Sequence, residues 1–200
     1  MKGVSTWMGR VCGAMFLAAA FSSAAHADRS WYGYTTTVAS GKGAEGWPNT
    51  ATCTDKVTGA MTGAIGGTCH SRYCWAMTLY HYPLPAGASF DASTTRWSQP
   101  FSEEGRNWHV CNNDGSLPGG WGIVTGIKVS GNYSDNIQLQ CTQLQQGIVV
   151  DPCYWSPWIS DGAPLPQYQL DLRDDQFVAG MACRGDYCDD VSFLYCTVVP

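Results

Sequence analysis

Residues 124–141, VTGIKVSGNYSDNIQLQC, have the pattern of one complete β-hairpin and are the clearest indication of the fold. In the second half, Ile137, Leu139 and Cys141 alternate with glutamines, and this period of two indicates a strand with one buried face. The intervening SGNY is polar and contains a glycine suited to a tight turn. We therefore predict two antiparallel strands joined by a short turn.

Two further stretches repeat this pattern, residues 61–80, MTGAIGGTCHSRYCWAMTLY, and residues 178–196, VAGMACRGDYCDDVSFLYC. An internal repeat of this length indicates a repeated structural unit. The segments 96–105, RWSQPFSEEG, and 154–162, YWSPWISDG, also resemble each other. The shared positions are a glycine before the first strand and a tyrosine at the end of the turn: Gly63, Gly126 and Gly180, and Tyr73, Tyr133 and Tyr187.

The first 27 residues have the features of an export signal. Lys2 and Arg10 supply positive charge, residues 11–21 are a short apolar stretch, and residues 25–27, AHA, match a small-residue cleavage pattern. A membrane-spanning helix needs about 20 apolar residues. We therefore expect a signal peptide at 1–27, a secreted or periplasmic protein without stable membrane insertion, and one domain, 28–200. Its three repeats cover approximately 28–86, 87–145 and 146–200.

The charge balance bears on the class of partner. The chain has 11 Lys and Arg against 16 Asp and Glu, a formal net charge of −5 at pH 7. A phosphate backbone would be repelled, so nucleic acid is not an expected partner. Only 14% of the residues are charged, while Trp, Tyr and Gly are abundant. This composition favours an all-β extracellular domain.

Cys12 leaves with the signal peptide, so nine of the ten cysteines remain. In an exported chain this density predicts disulfides and no metal site. Cys183 and Cys188 flank the last turn with the spacing of Cys69 and Cys74 in the first copy. The middle copy has Val129 and Ser134 at these positions. A small apolar and a small polar residue are reasonable replacements for a cross-strand disulfide that the fold does not require. We predict the bonds Cys69–Cys74 and Cys183–Cys188.

The other five cysteines are assigned by their places in the repeats. Cys111 precedes the middle hairpin and Cys141 ends it, so we pair them. Cys53 precedes the first copy as Cys111 precedes the second, and Cys196 ends the third copy. If the three units close into a ring, Cys53 and Cys196 meet where the ends join. Cys153 is then the odd cysteine.

Three β units with closing ends predict three sheets around a pseudo-threefold axis. The segments TGIKVSGNYSDNIQLQC and AGMACRGDYCDDVSFLYC resemble β-prism proteins of the vitelline membrane outer layer and jacalin-like kinds. They also resemble cysteine-rich repeats of secreted bacterial proteins. The resemblance implies an all-β, β-prism-like domain in a secreted binding or coat protein, sugar-directed in jacalin-like lectins. A β-trefoil and a β-sandwich are the alternative folds. The jacalin-like sugar site is not carried over, because its G-x-x-x-D loop has no match.

Side chains at two of the turns are candidate ligand-binding residues. A carboxylate, an amide and an aromatic ring together suit sugar hydroxyls or Ca²⁺. The alternative is that these side chains accept backbone N–H bonds within the turn. The residues are Tyr133, Asp135 and Asn136 in the middle copy and Tyr187, Asp189 and Asp190 in the last.

The tryptophans divide into two groups. Trp97 and Trp155, in the two matching segments, are predicted to be core residues that fill equivalent pockets. Trp47 in EGWPN and Trp121 in PGGWG are candidates for a stacking platform. They belong to the tryptophans that do not repeat between the two segments, which are Trp31, Trp47, Trp75, Trp108, Trp121 and Trp158.

No catalytic residue is predicted. Glu103 and Glu104 are adjacent, and neighbours on a strand point to opposite faces, whereas a glycosidase needs two carboxylates facing one substrate. No hydrolase or phosphate-loop motif occurs. We predict a noncatalytic, lectin-like secreted protein that binds carbohydrate or a cell surface, with no cofactor except an optional Ca²⁺. The alternatives are a protein-interaction module, such as a toxin subunit, coat component or inhibitor, and a secreted glycoside hydrolase.

Overall fold

The computed structural model describes residues 34–41, 44, 46–53, 65–70, 76–111, 122–145, 149–160, 173 and 175–200. Within these ranges the chain forms twelve β-strands, and the helical segments are two 3₁₀ turns of three residues each. The all-β prediction is confirmed. Residues 1–27, Cys74 and Trp121 lie outside the described residues, and so do the predictions that depend on them.

The strands have the following bounds: β1 Tyr34–Ala39, β2 Thr50–Thr52, β3 Ile65–His70, β4 Ala76–His81, β5 Phe90–Trp97, β6 Trp108–Val110, β7 Gly122–Ser130, β8 Asn136–Leu144, β9 Val149–Trp155, β10 Ile159–Ser160, β11 Gln176–Arg184 and β12 Asp190–Val199. The 3₁₀ turns are Asn132–Ser134, called the middle turn, and Asp186–Cys188, called the last turn.

The strands form three antiparallel sheets. The first sheet has the order β1-β4-β3, and the middle sheet has the order β2-β7-β8-β5. In the last sheet β11 lies between β6 and β12, and both β9 and β10 pair with the other edge of β12. Each sheet contains one of the predicted hairpins, β3–β4, β7–β8 or β11–β12.

The middle and last sheets match in their strand pairings at the motif glycines. The β7–β8 register shifts just before Gly126, and the β11–β12 register shifts just before Gly180. A Cβ on Gly126 would lie 3.0 Å from the Ala51 carbonyl of β2, and one on Gly180 would lie 2.7 Å from the His109 carbonyl of β6. Glycine is therefore required where a short strand crosses close to a β-bulge.

The inner faces of the three sheets share one hydrophobic core. Fully buried members come from the first sheet (Leu79), the middle sheet (Ile127, Leu139) and the last sheet (Met181, Phe193). Burying a side chain of this size contributes about 1.5–3 kcal/mol. The alternation read from the middle hairpin therefore identifies the face that turns inward.

Two predicted disulfides are present. Cys111 bonds to Cys141 across 30 residues of sequence, and Cys183 bonds to Cys188 across the last turn. The bond Cys111–Cys141 joins the last sheet to the middle sheet, because the backbone N–H of Cys111 donates to Ala179 of β11 at 2.8 Å. These bonds therefore act as cross-links within and between the hairpins.

The predicted pairing of Cys53 with Cys196 is wrong, because Cys196 bonds to Cys153. In β12 it is Tyr195, and not Cys196, that has the pairing position of Cys141 in β8. A shift of one residue turns a side chain to the other face of a strand. Cys196 therefore lies directly opposite Cys153 of β9, with the two Cα atoms 4.1 Å apart.

Among the cysteines whose side chains the structure describes, Cys53 is consequently the free one, whereas the prediction had left Cys153 unpaired. Its backbone N–H donates to the Thr125 carbonyl at 2.7 Å, just as that of Cys111 donates to β11, so Cys53 does occupy the equivalent position. The first hairpin has His81 where the middle hairpin has Cys141. Burial raises the pKa of the Cys53 thiol well above its ordinary value, so the thiol is neutral.

Candidate functional site

The middle and last turns lie side by side, so the structure brings two of the predicted ligand-binding residues together. The ring centroids of Tyr133 and Tyr187 are 5.1 Å apart, with the rings inclined at 58°. Both tyrosines have positive φ, 56° and 60°. This unfavourable conformation at matching places shows that the two turns have the same backbone geometry.

The acidic residues after the tyrosines pack on their own turns. Asp135 places its carboxylate so close to Gly131 that a Cβ there would overlap it, and Asp189 does the same at Gly185. The amide of Asn136 donates to Asp135 Oδ1 at 2.8 Å. These contacts favour the alternative in which the acids stabilise the turns.

Two further polar groups at the last turn also have partners. Asp190 accepts from Arg184 Nε at 2.8 Å. The backbone N–H of Tyr187 donates to Glu103 Oε1 at 2.8 Å, so Glu103 bridges from its loop to the last turn. Burial, and secondarily the charge of Glu103, raise the pKa of Asp135. Glu104 is exposed.

The exposed tryptophans correct the sequence prediction for two positions. Trp97 and Trp155 do occupy matching places, at the ends of β5 and β9, but they are 39% and 43% exposed, so the prediction that they fill the core is wrong. The physical reason is that the two tryptophans pair with Gln140 and Leu194. Each of these follows a residue of the shared core, Leu139 or Phe193, so it and the tryptophan beside it point to the opposite face of the sheet. Trp47 is also exposed, on a separate turn.

A groove of about 620 Å³ lies on the outer face of the last sheet. One wall is Trp108 of β6, and the other consists of Trp155 and Trp158 at the opposite edge of the sheet. Trp108 and Trp158 are each 38% exposed. The lining residues are Asn107, Trp108, Val110, Cys153, Trp155, Ser156, Trp158, Ala182, Ser192 and Leu194.

A break in the edge pairing of β12 positions the second wall. The backbone N–H of Ser156 donates to the Phe193 carbonyl at 2.8 Å, and the Phe193 N–H donates to Ser156 Oγ at 3.0 Å. The serine side chain thus replaces a backbone acceptor where the chain leaves the sheet between β9 and β10. Trp155 and Trp158 stand on either side of this break.

Small side chains form the floor of the groove. Trp108, Ala182 and Ser192 lie in register on β6, β11 and β12. Trp108 is the one large side chain of these three, so the surface over Ala182 and Ser192 is lower than the surface at Trp108. Three strand spacings separate β6 from the edge with β9 and β10, which corresponds to about 14 Å along the sheet.

The middle sheet has no equivalent set of residues. Thr50, Lys128 and Gln138 occupy the same row there, on β2, β7 and β8. Lys128 and Gln138 are long and polar where Ala182 and Ser192 are short. The groove therefore depends on side chains that differ between two sheets of the same construction.

Two arginines stack on the groove walls. The guanidinium carbon of Arg106 is 4.5 Å from the centroid of the Trp108 ring, and that of Arg184 is 4.3 Å from the centroid of the Trp158 ring. Such cation–π contacts contribute about 0.5–1 kcal/mol each at exposed sites. They restrict the positions of the two indoles on opposite walls.

Comparisons with known proteins add no relative: no family model, curated protein or solved structure matches the chain. In the part of the chain that the structure describes, no cluster of three or more His, Cys, Asp or Glu side chains could hold a metal ion. None of the helical segments in that part has the length and apolar character that a bilayer crossing demands.

Sequence reasoning missed the groove, although a signal for it was present. Trp108 and Trp158 are nonrepeating tryptophans, but the sequence prediction assigns neither to a binding site. The informative difference is that the last copy has Ala182 and Ser192 where the middle copy has Lys128 and Gln138. Short residues beside tryptophans on an outward face indicate a surface depression.

Proposed function

We propose that the protein is an exported, lectin-like binding protein that holds a carbohydrate chain in the groove of the last sheet. The observation that carries this proposal is the pair of tryptophan walls above a floor of small side chains. Contiguous exposed apolar surface of this kind commonly marks a binding site.

The chemistry of the lining suits a sugar ring. A pyranose has an apolar face of C–H groups, which can stack on an indole, and a polar edge of hydroxyls, which must keep hydrogen bonds. Trp108, Trp155 and Trp158 supply the apolar surfaces, and Asn107 supplies a polar group at the rim. Sites of this type combine aromatic lining with a few polar groups.

Binding without catalysis is the reading that the lining favours. None of the described residues that line the groove carries a carboxylate. Glycoside hydrolysis ordinarily uses two. The carboxylates of Asp135, Asp189 and Asp190 are engaged in turn or ion-pair contacts instead.

The pseudo-threefold, β-prism-like architecture is part of the proposal. It is supported by three sheets that each contain one hairpin and by the shared core of their inner faces. Export is supported by the disulfides, which persist in oxidising compartments. In this account the three units have a common fold, and the last one carries the binding groove.

The direct test is retention on immobilised polysaccharides, with Trp155→Ala and Trp158→Ala as the groove variants. Trp47→Ala is the matched control, because Trp47 is 41% exposed and is not among the groove lining. We expect each groove variant to weaken binding about tenfold or more, as for an aromatic hot spot, and the control to bind like the wild type. Equal binding by all four proteins would refute the proposal.

A protein ligand is the second candidate, because aromatic-lined grooves also bind proline-rich segments in the polyproline II conformation. The same variants distinguish the two candidate ligands when a proline-rich peptide is titrated in parallel with an oligosaccharide. Binding of the peptide alone, with the same dependence on Trp155 and Trp158, would favour the interaction-module alternative.

A further inference from the structure

The groove has positive charge on both walls and no charged residue in its described lining. Arg106 lies on Trp108 and Arg184 lies on Trp158. The side chains between them are apolar, amide or hydroxyl groups. A ligand lying along the floor would therefore pass between two guanidinium groups.

The two arginines differ in how much of their charge is available. Arg184 donates from Nε to Asp190, which leaves its terminal N–H groups for other acceptors. Among the described residues, no carboxylate lies within ion-pair distance of Arg106. Within the part of the chain that the structure describes, the guanidinium of Arg106 therefore has no ion-pair partner.

This arrangement selects between ligand classes. An aromatic groove can bind a quaternary ammonium ion, but two arginines on its walls would repel one. A neutral sugar would leave the guanidinium donors to water. An anionic sugar would satisfy them, because arginine pairs with carboxylate or sulfate oxygens in a two-point geometry.

We propose that the groove binds an acidic oligosaccharide whose anionic groups contact Arg106 and Arg184. The inference rests on the proposed function and names the class of sugar. The chain as a whole is acidic, with a formal net charge of −5. Attraction must therefore come from these nearby arginines and not from the overall field of the protein.

The experiment compares an oligogalacturonide with its methyl ester, which has the same rings without the charge. We expect the acid to bind about tenfold more tightly than the ester at low salt, and the preference to shrink at about 1 M salt through screening. A sulfated neutral oligosaccharide forms a third arm. Tighter binding of the sulfate with the same arginine dependence would support an anionic ligand and identify sulfate as the group.

Arg106→Gln and Arg106→Lys separate charge from packing. If Arg106 binds the anion, the glutamine variant loses most of the preference for the acid and still binds the ester, and the lysine variant retains part of the preference. If Arg106 only steadies Trp108, glutamine weakens binding of acid and ester equally, and the proposal is refuted. Lys128→Gln, which removes a positive charge from the middle sheet, is the control and should change neither affinity.

Failure of this inference can be told apart from failure of the proposed function. Equal binding of acid and ester, still lost in Trp155→Ala, would reject the acidic ligand and keep a carbohydrate groove. Absence of binding to every sugar would reject both.

Discussion

Ala182 lies directly opposite Trp108 in the ladder between β6 and β11, and this pairing of a small with a large side chain opens the groove. In the middle sheet the corresponding pair is Lys128 with Thr50. The two sheets share their strand order and their bulge glycine, so the difference in side-chain size accounts for the difference in surface shape.

The first prediction is that Ala182→Lys closes the groove as Lys128 does in the middle sheet. A lysine at this outward position can lay its methylene chain along the floor and keep its amine in water. The variant should therefore fold and lose sugar binding by about tenfold or more. Binding is measured by titration and folding by circular dichroism, with Lys128→Ala as the control. A folded Ala182→Lys protein that binds like the wild type would contradict the assignment of the floor.

The second prediction concerns the size of the disulfide contributions. Replacing Cys183 by Val and Cys188 by Ser, the residues of the middle hairpin, should lower the free energy of unfolding by only about 2 kcal/mol, because the closed loop is short. Replacing Cys153 and Cys196 by Ala should cost about 4 kcal/mol, because 43 residues separate them. Urea unfolding measures both. The opposite order of stabilities would disagree with the loop-length argument.

The third prediction is that Cys53 resists thiol labelling until the protein unfolds. The residue is 1% exposed, and burial keeps its thiol neutral by raising the pKa. Since thiol reagents react with the thiolate, peptide mapping should find Cys53 unmodified in the native protein and alkylated after denaturation. Detection of a Cys53–Cys196 peptide would overturn the bond between Cys153 and Cys196.

The fourth prediction is that Glu103→Gln lowers the pKa of Asp135. Burial is the main cause of the raised pKa and the charge of Glu103 a smaller one, so the variant should move the pKa down without removing the whole shift. An NMR titration of the Asp135 carboxyl carbon measures this. An unchanged or higher pKa would show that Glu103 exerts no such influence.

The raised pKa of Asp135 also determines whether this residue makes the protein more or less stable as the pH rises. A carboxyl whose folded pKa is raised stabilises the fold in its protonated form, and this contribution is lost as the pH rises from the ordinary pKa through the raised one. In Asp135→Asn the side chain is neutral at every pH, so the variant does not lose this stability as the pH rises. The stability of the variant relative to the wild type should therefore be greater at about pH 7 than at about pH 3, measured by urea unfolding.

The hairpins and the disulfide at the last turn could be predicted from the sequence because their determinants are local, whereas the bond Cys111–Cys141 was predicted from the places of the two cysteines in the repeat. Alternation around Ile137 and Leu139, and the turn glycine, act over a few residues. Cys183 and Cys188 flank one turn, so their proximity follows from the turn itself. The all-β class followed from the same local signals.

The parts that could not be predicted depend on pairing between distant segments. Cys196 differs from the position of Cys141 by one residue, which decides the face of the strand and hence the partner. Trp97 and Trp155 occupy matching places, but repetition alone does not tell which face is buried. The groove requires β6 to pair with β11, and these strands are remote in sequence.

The most direct test of the binding groove is an NMR titration that follows the indole N–H signals of the tryptophans as an acidic oligosaccharide is added. The account predicts shifts for Trp108, Trp155 and Trp158, with those of Trp47 and Trp97 unchanged. Shifts confined to Trp47, or to the backbone of the turns around Tyr133 and Tyr187, would contradict it.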